Sequence, residues 1–182
     1  MKYKIAHVCF FDVFPPKTGA GNVSWDFFSS IEYEKKLFQL SNNSKFNNKI
    51  ININIFYNKP IFKILFLPIF FFTIFNYLKG KKKKIIIIEG ASWIFYSYLL
   101  LIFAKLFNVK VIYRSHNIEY ELRRSKSNIL ITKLTKKLEH KVFNLSNLST
   151  SVSSLDQKKI KKLYKIDTYI FPNSLSFKKL SY

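Results

Sequence analysis

A short apolar segment that runs directly into a polar cluster constrains the fold of this chain more than any other feature. Val109-Lys-Val-Ile-Tyr113 has the β-branched and aromatic residues of a buried strand, and Arg114-Ser-His-Asn-Ile-Glu-Tyr-Glu-Leu-Arg-Arg124 follows it without a break. A helical pattern comes next. Because open α/β sheets bind ligands at the carboxyl ends of their strands, this order predicts such a sheet with the polar cluster at its binding edge.

Two interpretations of the polar cluster are open from the residues alone. His116, Asn117 and Glu119 offer a titratable ring, an amide and a carboxylate, which together can bind a ligand. Alternatively, Asn117 or Ser115 caps the helix that follows and His116 has no special role. The rest of the chain favours the first interpretation.

Strands and helices alternate along the chain, which predicts a doubly wound, Rossmann-like, mostly parallel sheet in a single α/β domain over residues 1–174. Strands are predicted at Lys4–Phe10, Ile50–Phe56, Ile85–Ile88, Val109–Tyr113, Leu148–Val152 and Asp167–Phe171. In Ile50–Phe56 apolar residues alternate with Asn, which places that strand near a sheet edge. Residues 175–182 are expected to begin an interdomain linker.

Three helices are predicted from periodicity and capping. The first buries Val23, Phe27, Ile31 and Phe38, and the second buries Ile131, Leu134, Leu138 and Val142. The third begins at a capping box on Ser153 or Ser154 and extends to about Tyr164.

The segment Ile61–Leu78 is the most hydrophobic part of the chain and has one charge, Lys63. Its length makes it a borderline transmembrane candidate. The favoured alternative is a helix that packs on the sheet and dips part of its apolar face into a bilayer. Five lysines follow it and are expected to contact anionic lipid head groups: Lys79, Lys81, Lys82, Lys83 and Lys84. The apolar stretch 93–107 is short for a span and suits a core helix.

The formal net charge of +21 indicates an anionic partner: nucleic acid, anionic lipid or a phosphorylated substrate. Part of this charge reflects a composition rich in Lys, Asn, Ile, Phe and Tyr. Specific nucleic-acid binding is weakly supported, because the chain lacks a zinc-ligand cysteine set and a stacking motif of known form. The single cysteine, Cys9, fits a reducing compartment and a buried strand position.

A loop with two prolines and two glycines follows the first strand and precedes the first helix. Its Gly19-Ala20-Gly21 segment can bring backbone N–H groups and a helix N-terminus against an anion. The loop does not match the dinucleotide fingerprint, because Ser24 occupies the place of the third glycine. A nicotinamide enzyme is therefore disfavoured.

Six colinear motifs resemble the N-terminal domain of family-4 glycosyltransferases, which have the GT-B architecture of two Rossmann-like domains. The motifs are Pro15-Pro16 with Gly19-Ala-Gly21, the strand end Ile85–Gly90, Arg114-Ser-His-Asn-Ile-Glu119, Lys137-Leu-Glu-His-Lys-Val142, Leu148-Ser-Thr-Ser-Val-Ser153 and Phe171-Pro-Asn173. The resemblance covers nearly the whole chain. Two departures are Ala20, where the family has a second adjacent glycine, and Ser174, where it favours glycine.

The resemblance implies a hexosyltransferase type of activity that uses a nucleotide-sugar donor, retains the anomeric configuration and requires no metal or other cofactor. It implies a catalytic role for His116 facing the reacting sugar. Substrate contacts are implied for Gly19, Ala20, Gly21, Glu89, Arg114, Asn117 and Glu119, with Glu119 supporting the His116 loop. A histidine suits this place because it can accept a hydrogen bond when neutral and stabilise phosphate charge when protonated.

The resemblance also implies a second, donor-binding domain that follows the last strand. The chain is therefore expected to be the acceptor-binding half, inactive alone, with a separate chain as one source of the donor-binding domain. We expect a bacterial surface-glycan or lipid-linked acceptor, and a cytoplasmic location on the inner face of the cell membrane. The alternative from a different class is a small integral membrane protein with spans near 61–78 and 93–107.

Overall fold

The computed structural model describes residues 3–41, 49–54 and 60–173, in which thirteen helices and strands follow one another. Their bounds are β1 (Tyr3–Cys9), α1 (Gly19–Ser30), β2 (Glu34–Ser41), β3 (Ile50–Asn54), α2 (Pro60–Tyr77), β4 (Lys83–Glu89), α3 (Ile94–Leu106), β5 (Lys110–Arg114), α4 (Glu119–Arg124), α5 (Ile129–Leu145), β6 (Leu148–Ser151), α6 (Ser154–Tyr164) and β7 (Tyr169–Ile170). The expected linker residues 175–182 lie outside these ranges.

The strands form one sheet in the order β3-β2-β1-β4-β5-β6-β7, and every pairing is parallel. This confirms the predicted doubly wound α/β class. The order reverses between β1 and β4, and such a switch point opens a crevice at the carboxyl ends of the strands. β3 lies at the edge, as its alternating pattern predicts, although Ile55 and Phe56 fall outside the described residues.

The prediction of a first helix extending to Phe38 was wrong. α1 ends at Ser30, and Phe38 lies in β2, a strand that the sequence pattern did not reveal. β2 is flanked by β1 and β3, so Leu37 to Ser41 are all buried and show no alternation. The apolar residues of β2 therefore continued the helical spacing of Val23 and Phe27 by coincidence.

The two faces of the sheet are covered unequally. A large core joins one face to α2, α3, α5 and α6, whereas α1 alone packs on the other face with a small cluster around Phe28. On the α1 face, Ile85 and Ile112 remain partly exposed, while their neighbours Ile86 and Val111 on the opposite face are buried. The helical layer α2-α3-α5 thus carries most of the hydrophobic packing.

The segment 61–78 forms α2 and packs on the sheet, as favoured from the sequence. Phe70 and Ile74 are fully buried in the main core. The charge of Lys63 is accommodated because its Nζ donates to the carbonyl oxygen of Phe10 at 2.8 Å. None of the described helices has both the length and the apolar character needed to cross a bilayer.

The predicted buried face of α5 is only half correct. Leu138 and Val142 are buried, but Ile131 and Leu134 are 40% and 47% exposed. Polar side chains take the inward positions instead, since Thr132, Thr135 and Glu139 are buried. A carboxylate on the inner face of a helix requires partners there, and these partners belong to the candidate site.

Gly90 offers a sharp test of packing at the end of β4. A Cβ there would lie 2.5 Å from Tyr113 Oη and 2.9 Å from the carbonyl oxygen of Arg114. Because Tyr113 is fully buried, we expect Gly90→Ala to lower the free energy of unfolding by about 2 kcal/mol in urea denaturation. Gly19→Ala is the matched control, since its Cβ meets nothing within 4 Å. Equal losses in both variants would contradict the packing argument.

Candidate active site at the carboxyl edge of the sheet

Glu89 is the centre of the polar cluster at the carboxyl edge. It ends β4 and its side chain is fully buried. Its Oε1 accepts hydrogen bonds from His7 Nε2 and Arg114 Nη1, each at 2.5 Å, and its Oε2 accepts one from His116 Nε2. Strands β1, β4 and β5 and the loop after β5 therefore contribute to one ion-pair network.

The side chain of His7 is a site residue that the sequence reasoning missed. It lies in the middle of β1, is fully buried, and faces Glu89 across the β1–β4 pairing. Its Nδ1 has no hydrogen-bond partner. A histidine in an otherwise apolar central strand could have given the signal, because a buried polar ring needs a partner on a neighbouring strand.

Arg114 is held between two aromatic rings as well as by its bond to Glu89. Its Cζ lies 3.8 Å from the centroid of Phe27 and 4.8 Å from that of Phe171. The aromatic faces attract the cation and exclude water from it. The Nε atom is buried without a partner. These contacts fix the position of the guanidinium group, so the buried Arg114 side chain neutralises the charge of Glu89.

The electrostatic consequence is a carboxylate that stays ionised. Burial alone would raise the pKa of Glu89, but the charge of His7, the hydrogen bonds from His116 and His7, and the charge of Arg114 hold that pKa well below its usual range. Glu89 therefore fixes the orientation of the His116 ring. The side chain of His116 is 7% exposed, against 5% for Arg114 and 0% for His7 and Glu89, so it is the most accessible member of the network.

The N-terminus of α1 reaches the same edge, because a helix after a parallel strand runs back toward the start of the next strand. Thr18 caps α1 by accepting a hydrogen bond from Gly21 N at 3.1 Å. The buried side chain of Gln39 fixes the preceding loop, accepting from Val13 N and Phe14 N at 3.1 and 3.0 Å. The peptide bond between Phe14 and Pro15 is cis.

The glycines predicted to line the site have different environments. A Cβ at Gly21 would lie 3.1 Å from both the carbonyl oxygen of Asp12 and Thr18 Oγ1, so a larger residue there would push the loop and the helix slightly apart. A Cβ at Gly19 would meet no atom within 4 Å, which leaves its backbone open. Ala20 is half-buried between them.

The alternative in which Asn117 or Ser115 caps the next helix was wrong. Neither side chain caps α4: Ser115 Oγ donates to the carbonyl oxygen of Asn117, and Asn117 Oδ1 is buried without a partner. Glu139 of α5 performs this role instead, because its carboxylate accepts from the backbone N–H groups of Glu119 and Tyr120 at 2.7 and 3.0 Å.

Glu139 is the second buried polar residue whose contacts the sequence did not reveal. Tyr164 also donates to it at 2.5 Å, and burial raises the pKa of its carboxyl group to about 7 despite these three hydrogen bonds. Glu119, expected to support the His116 loop, is also buried, and burial raises its pKa. Its carboxylate contacts Arg123 at 3.4 Å and so acts within α4.

The five lysines predicted to contact lipid lie away from this edge, at the amino end of β4. Lys79 and Lys81 are exposed, but Lys82 forms a salt bridge with Glu34. Lys83 and Lys84 belong to β4 itself, and Lys83 lies over the ring of Tyr3. The structure thus separates these lysines from the remaining predicted site residues, which it brings to the carboxyl edge.

Within the described residues, no group of three or more His, Cys, Asp and Glu side chains is arranged to hold a metal ion. A comparison of the chain with protein-family models found no matching family, and a comparison with curated proteins found no match.

The raised pKa of Glu139 predicts how stability depends on pH. A carboxyl group whose pKa is about 7 when folded and near 4.5 when exposed stabilises the fold below pH 4.5 and loses that contribution as the pH rises through 7. We expect this loss to be about 3 kcal/mol, and Glu139→Gln to flatten the profile measured by urea unfolding. Glu121→Gln, on the exposed side of α4, should leave the slope unchanged. An unaltered slope in Glu139→Gln would refute the assignment.

Proposed function

We propose that this chain is the acceptor-binding half of a retaining glycosyltransferase that uses a nucleotide-sugar donor. One observation carries the proposal: His116 is oriented by a buried, ionised Glu89 at the switch point of a parallel sheet, where open α/β folds bind ligands. The motif order that resembles family-4 glycosyltransferases agrees with that placement.

The geometry of His116 supports binding of a polyhydroxylated ligand. One ring nitrogen is held by Glu89, which fixes the plane of the ring, and 7% of the side-chain surface is exposed. An imidazole held in one orientation can donate a hydrogen bond to a sugar hydroxyl group or accept one from it. The charged groups around Glu89 can also stabilise charge that develops on a nearby ligand during the reaction. In this proposal His116 contacts the reacting sugar, whereas His7 and Arg114 position Glu89.

The N-terminus of α1 supports the second part of the proposal, which concerns phosphate. Backbone N–H groups at the start of a helix attract anions, and α1 has no acidic residue in its first turn to oppose them. The open backbone of Gly19 gives a ligand room to approach. We therefore assign this helix end to the diphosphate side of a donor that is held mainly by a second, donor-binding domain.

The helical layer supports the proposed contact with an anionic membrane. On α2, Leu65, Ile69 and Phe72 are 67%, 55% and 68% exposed and lie on one side of the helix. Beside them is an apolar groove of about 450 Å³ between α2 and α3, lined by Ile64, Leu67, Pro68, Phe71, Phe72, Phe75, Leu99, Phe103 and Phe107. Lys79, Lys81 and Lys105 are exposed near the ends of these helices. Such a surface suits the interfacial region of a bilayer.

Saccharide binding tests the proposed site directly. We expect the labelled chain to be retained by at least one class of oligosaccharide or glycolipid on an array, and to bind free nucleotides more weakly than that saccharide. His116→Ala should weaken saccharide binding by about tenfold, the loss of one hydrogen bond to a polar partner. His140→Ala, which removes an exposed histidine of α5, is the matched control. Retention by no saccharide, or equal retention by both variants, would contradict the proposal.

Vesicle flotation tests the membrane contact independently of sugar. Phe72→Ser, and Lys79→Gln combined with Lys81→Gln, should each reduce binding to phosphatidylglycerol-containing vesicles by about tenfold, because burial of an aromatic ring and lysine attraction each contribute. Leu155→Ser replaces an equally exposed apolar residue on α6 and should have no effect. Unchanged flotation of the α2 variants would show that this face does not contact lipid.

A further inference from the structure

The corner where α4 meets α5 exposes more large aliphatic side chains than the fold requires. Ile129 and Leu130 are 73% and 74% exposed, and three neighbours are exposed by 40% or more, namely Leu122, Ile131 and Leu134. The packing of α5 does not use them, because its inward face consists of Thr132, Thr135, Leu138, Glu139, Val142 and Phe143. These five aliphatic residues, which we term the α4–α5 corner, are available to a partner.

The corner is held in place rather than loosely attached. Asn128 caps α5 by accepting from Ile131 N at 2.9 Å, and Thr132 Oγ1 donates to the carbonyl oxygen of Asn128 at 2.9 Å. Glu139 ties the start of α4 to α5 at the other end. Ile129 and Leu130 therefore protrude from a capped helix end with a defined geometry.

The charges around the corner are almost all positive. Five cations on or between the two helices, from Arg124 to Lys137, are exposed and form no salt bridge within the described ranges: Arg124, Lys126, Lys133, Lys136 and Lys137. Two of the three carboxylates in this stretch, Glu119 and Glu139, are buried. The third, Glu121, is engaged by Lys159 at 2.8 Å. The occupant of this surface must therefore be anionic as well as apolar.

A basic cavity beside the corner fits an anionic head group. It has a volume of about 510 Å³ and is lined by Tyr120, Arg124, Ser127, Ile129, Thr132, Lys133 and Lys136. Arg124, Lys133 and Lys136 supply three cations, and the hydroxyl of Ser127 can donate a hydrogen bond. A phosphate that enters this cavity would lie beside Ile129, one of the exposed aliphatic residues of the corner.

We propose that the α4–α5 corner inserts into an anionic bilayer, with lipid phosphates bound in the adjacent basic cavity. Aliphatic side chains that protrude from a helix end can enter the fluid acyl region of a bilayer directly. A folded protein partner could bind them only if it had a preformed groove of matching shape. Lysine and arginine side chains are long enough to keep their charges at the head groups while the aliphatics enter the acyl region. A second copy of the chain is disfavoured because it would bring the same five cations together.

Insertion of the corner adds to the membrane contact of the proposed function, and the inference rests on that function. It places lipid close to the candidate site. α4 begins three residues after His116, and Glu139 links it to α5. α2, α3 and α5 pack on the same face of the sheet. The α2 surface and the α4–α5 corner can therefore face one bilayer, with the corner at the carboxyl-edge end of the helical layer.

Flotation with phosphatidylcholine vesicles, with and without about 30% phosphatidylglycerol, tests the corner. We expect binding only to the anionic vesicles, and a loss of at least about tenfold in Ile129→Ser combined with Leu130→Ser. Leu155→Ser, an exposed leucine at the start of α6, is the matched control. Lys133→Gln with Lys136→Gln should weaken binding more than Lys158→Gln with Lys162→Gln, which remove equal charge from α6.

A labelled variant distinguishes insertion from simple attraction. Cys9 is fully buried, so in Leu130→Cys an environment-sensitive thiol probe reports on position 130. We expect a blue shift in its emission on anionic vesicles. Three results would each overturn the proposal. They are vesicle binding without a shift in emission, an equal loss of binding in the corner and α6 variants, and stronger binding to an acidic protein than to lipid. Because Phe72→Ser tests the α2 surface and the saccharide array tests the site, either can fail while the corner inserts.

Discussion

The candidate site depends on one buried carboxylate. Glu89 is fully enclosed, and an ionised group in that position destabilises a protein unless charges and hydrogen bonds compensate it. Strands β1 and β5 and the loop after β5 meet this requirement with His7, Arg114 and His116, which all donate to it. The parallel order of β1, β4 and β5 is what brings these donors together, since neighbouring parallel strands end at the same edge. The strand order that defines the fold therefore also assembles the candidate site.

A second buried carboxylate controls the segment that follows. Glu139 lies on the inner face of α5 and accepts the first backbone N–H groups of α4, so the path of the chain after His116 is fixed by a residue 19 and 20 positions from those donors. The two carboxylates differ in their surroundings. Glu89 faces two histidines and Arg114, whose charges and hydrogen bonds lower its pKa, whereas Glu139 faces neutral donors, and burial raises its pKa to about 7. One therefore stays charged while the other can take up a proton near neutral pH.

The sequence predicted most of the sheet because its strands are apolar and short and are followed by polar residues. Ile85–Ile88 and Val109–Tyr113 were located in this way, and so were the polar residues at their ends. β2 was missed because a strand buried on both faces lacks alternation and its residues resembled a helical face. His7 and Glu139 were missed for a related reason. Their roles arise from contacts between distant segments of the chain, and the local periodicity of the sequence carries no information about such contacts. The exposed Ile131 and Leu134 satisfied helical spacing without belonging to the core.

Arg114 lies between Phe27 and Phe171, and this sandwich connects the last residues of the described chain to the interior. Phe171 follows β7, is partly open to solvent, and meets Phe27 with ring centroids 5.2 Å apart. A shift of this ring would hydrate the guanidinium and weaken its hold on Glu89. The ring of Phe171, at the end of the described chain, thus helps to keep Arg114 dry and paired with Glu89.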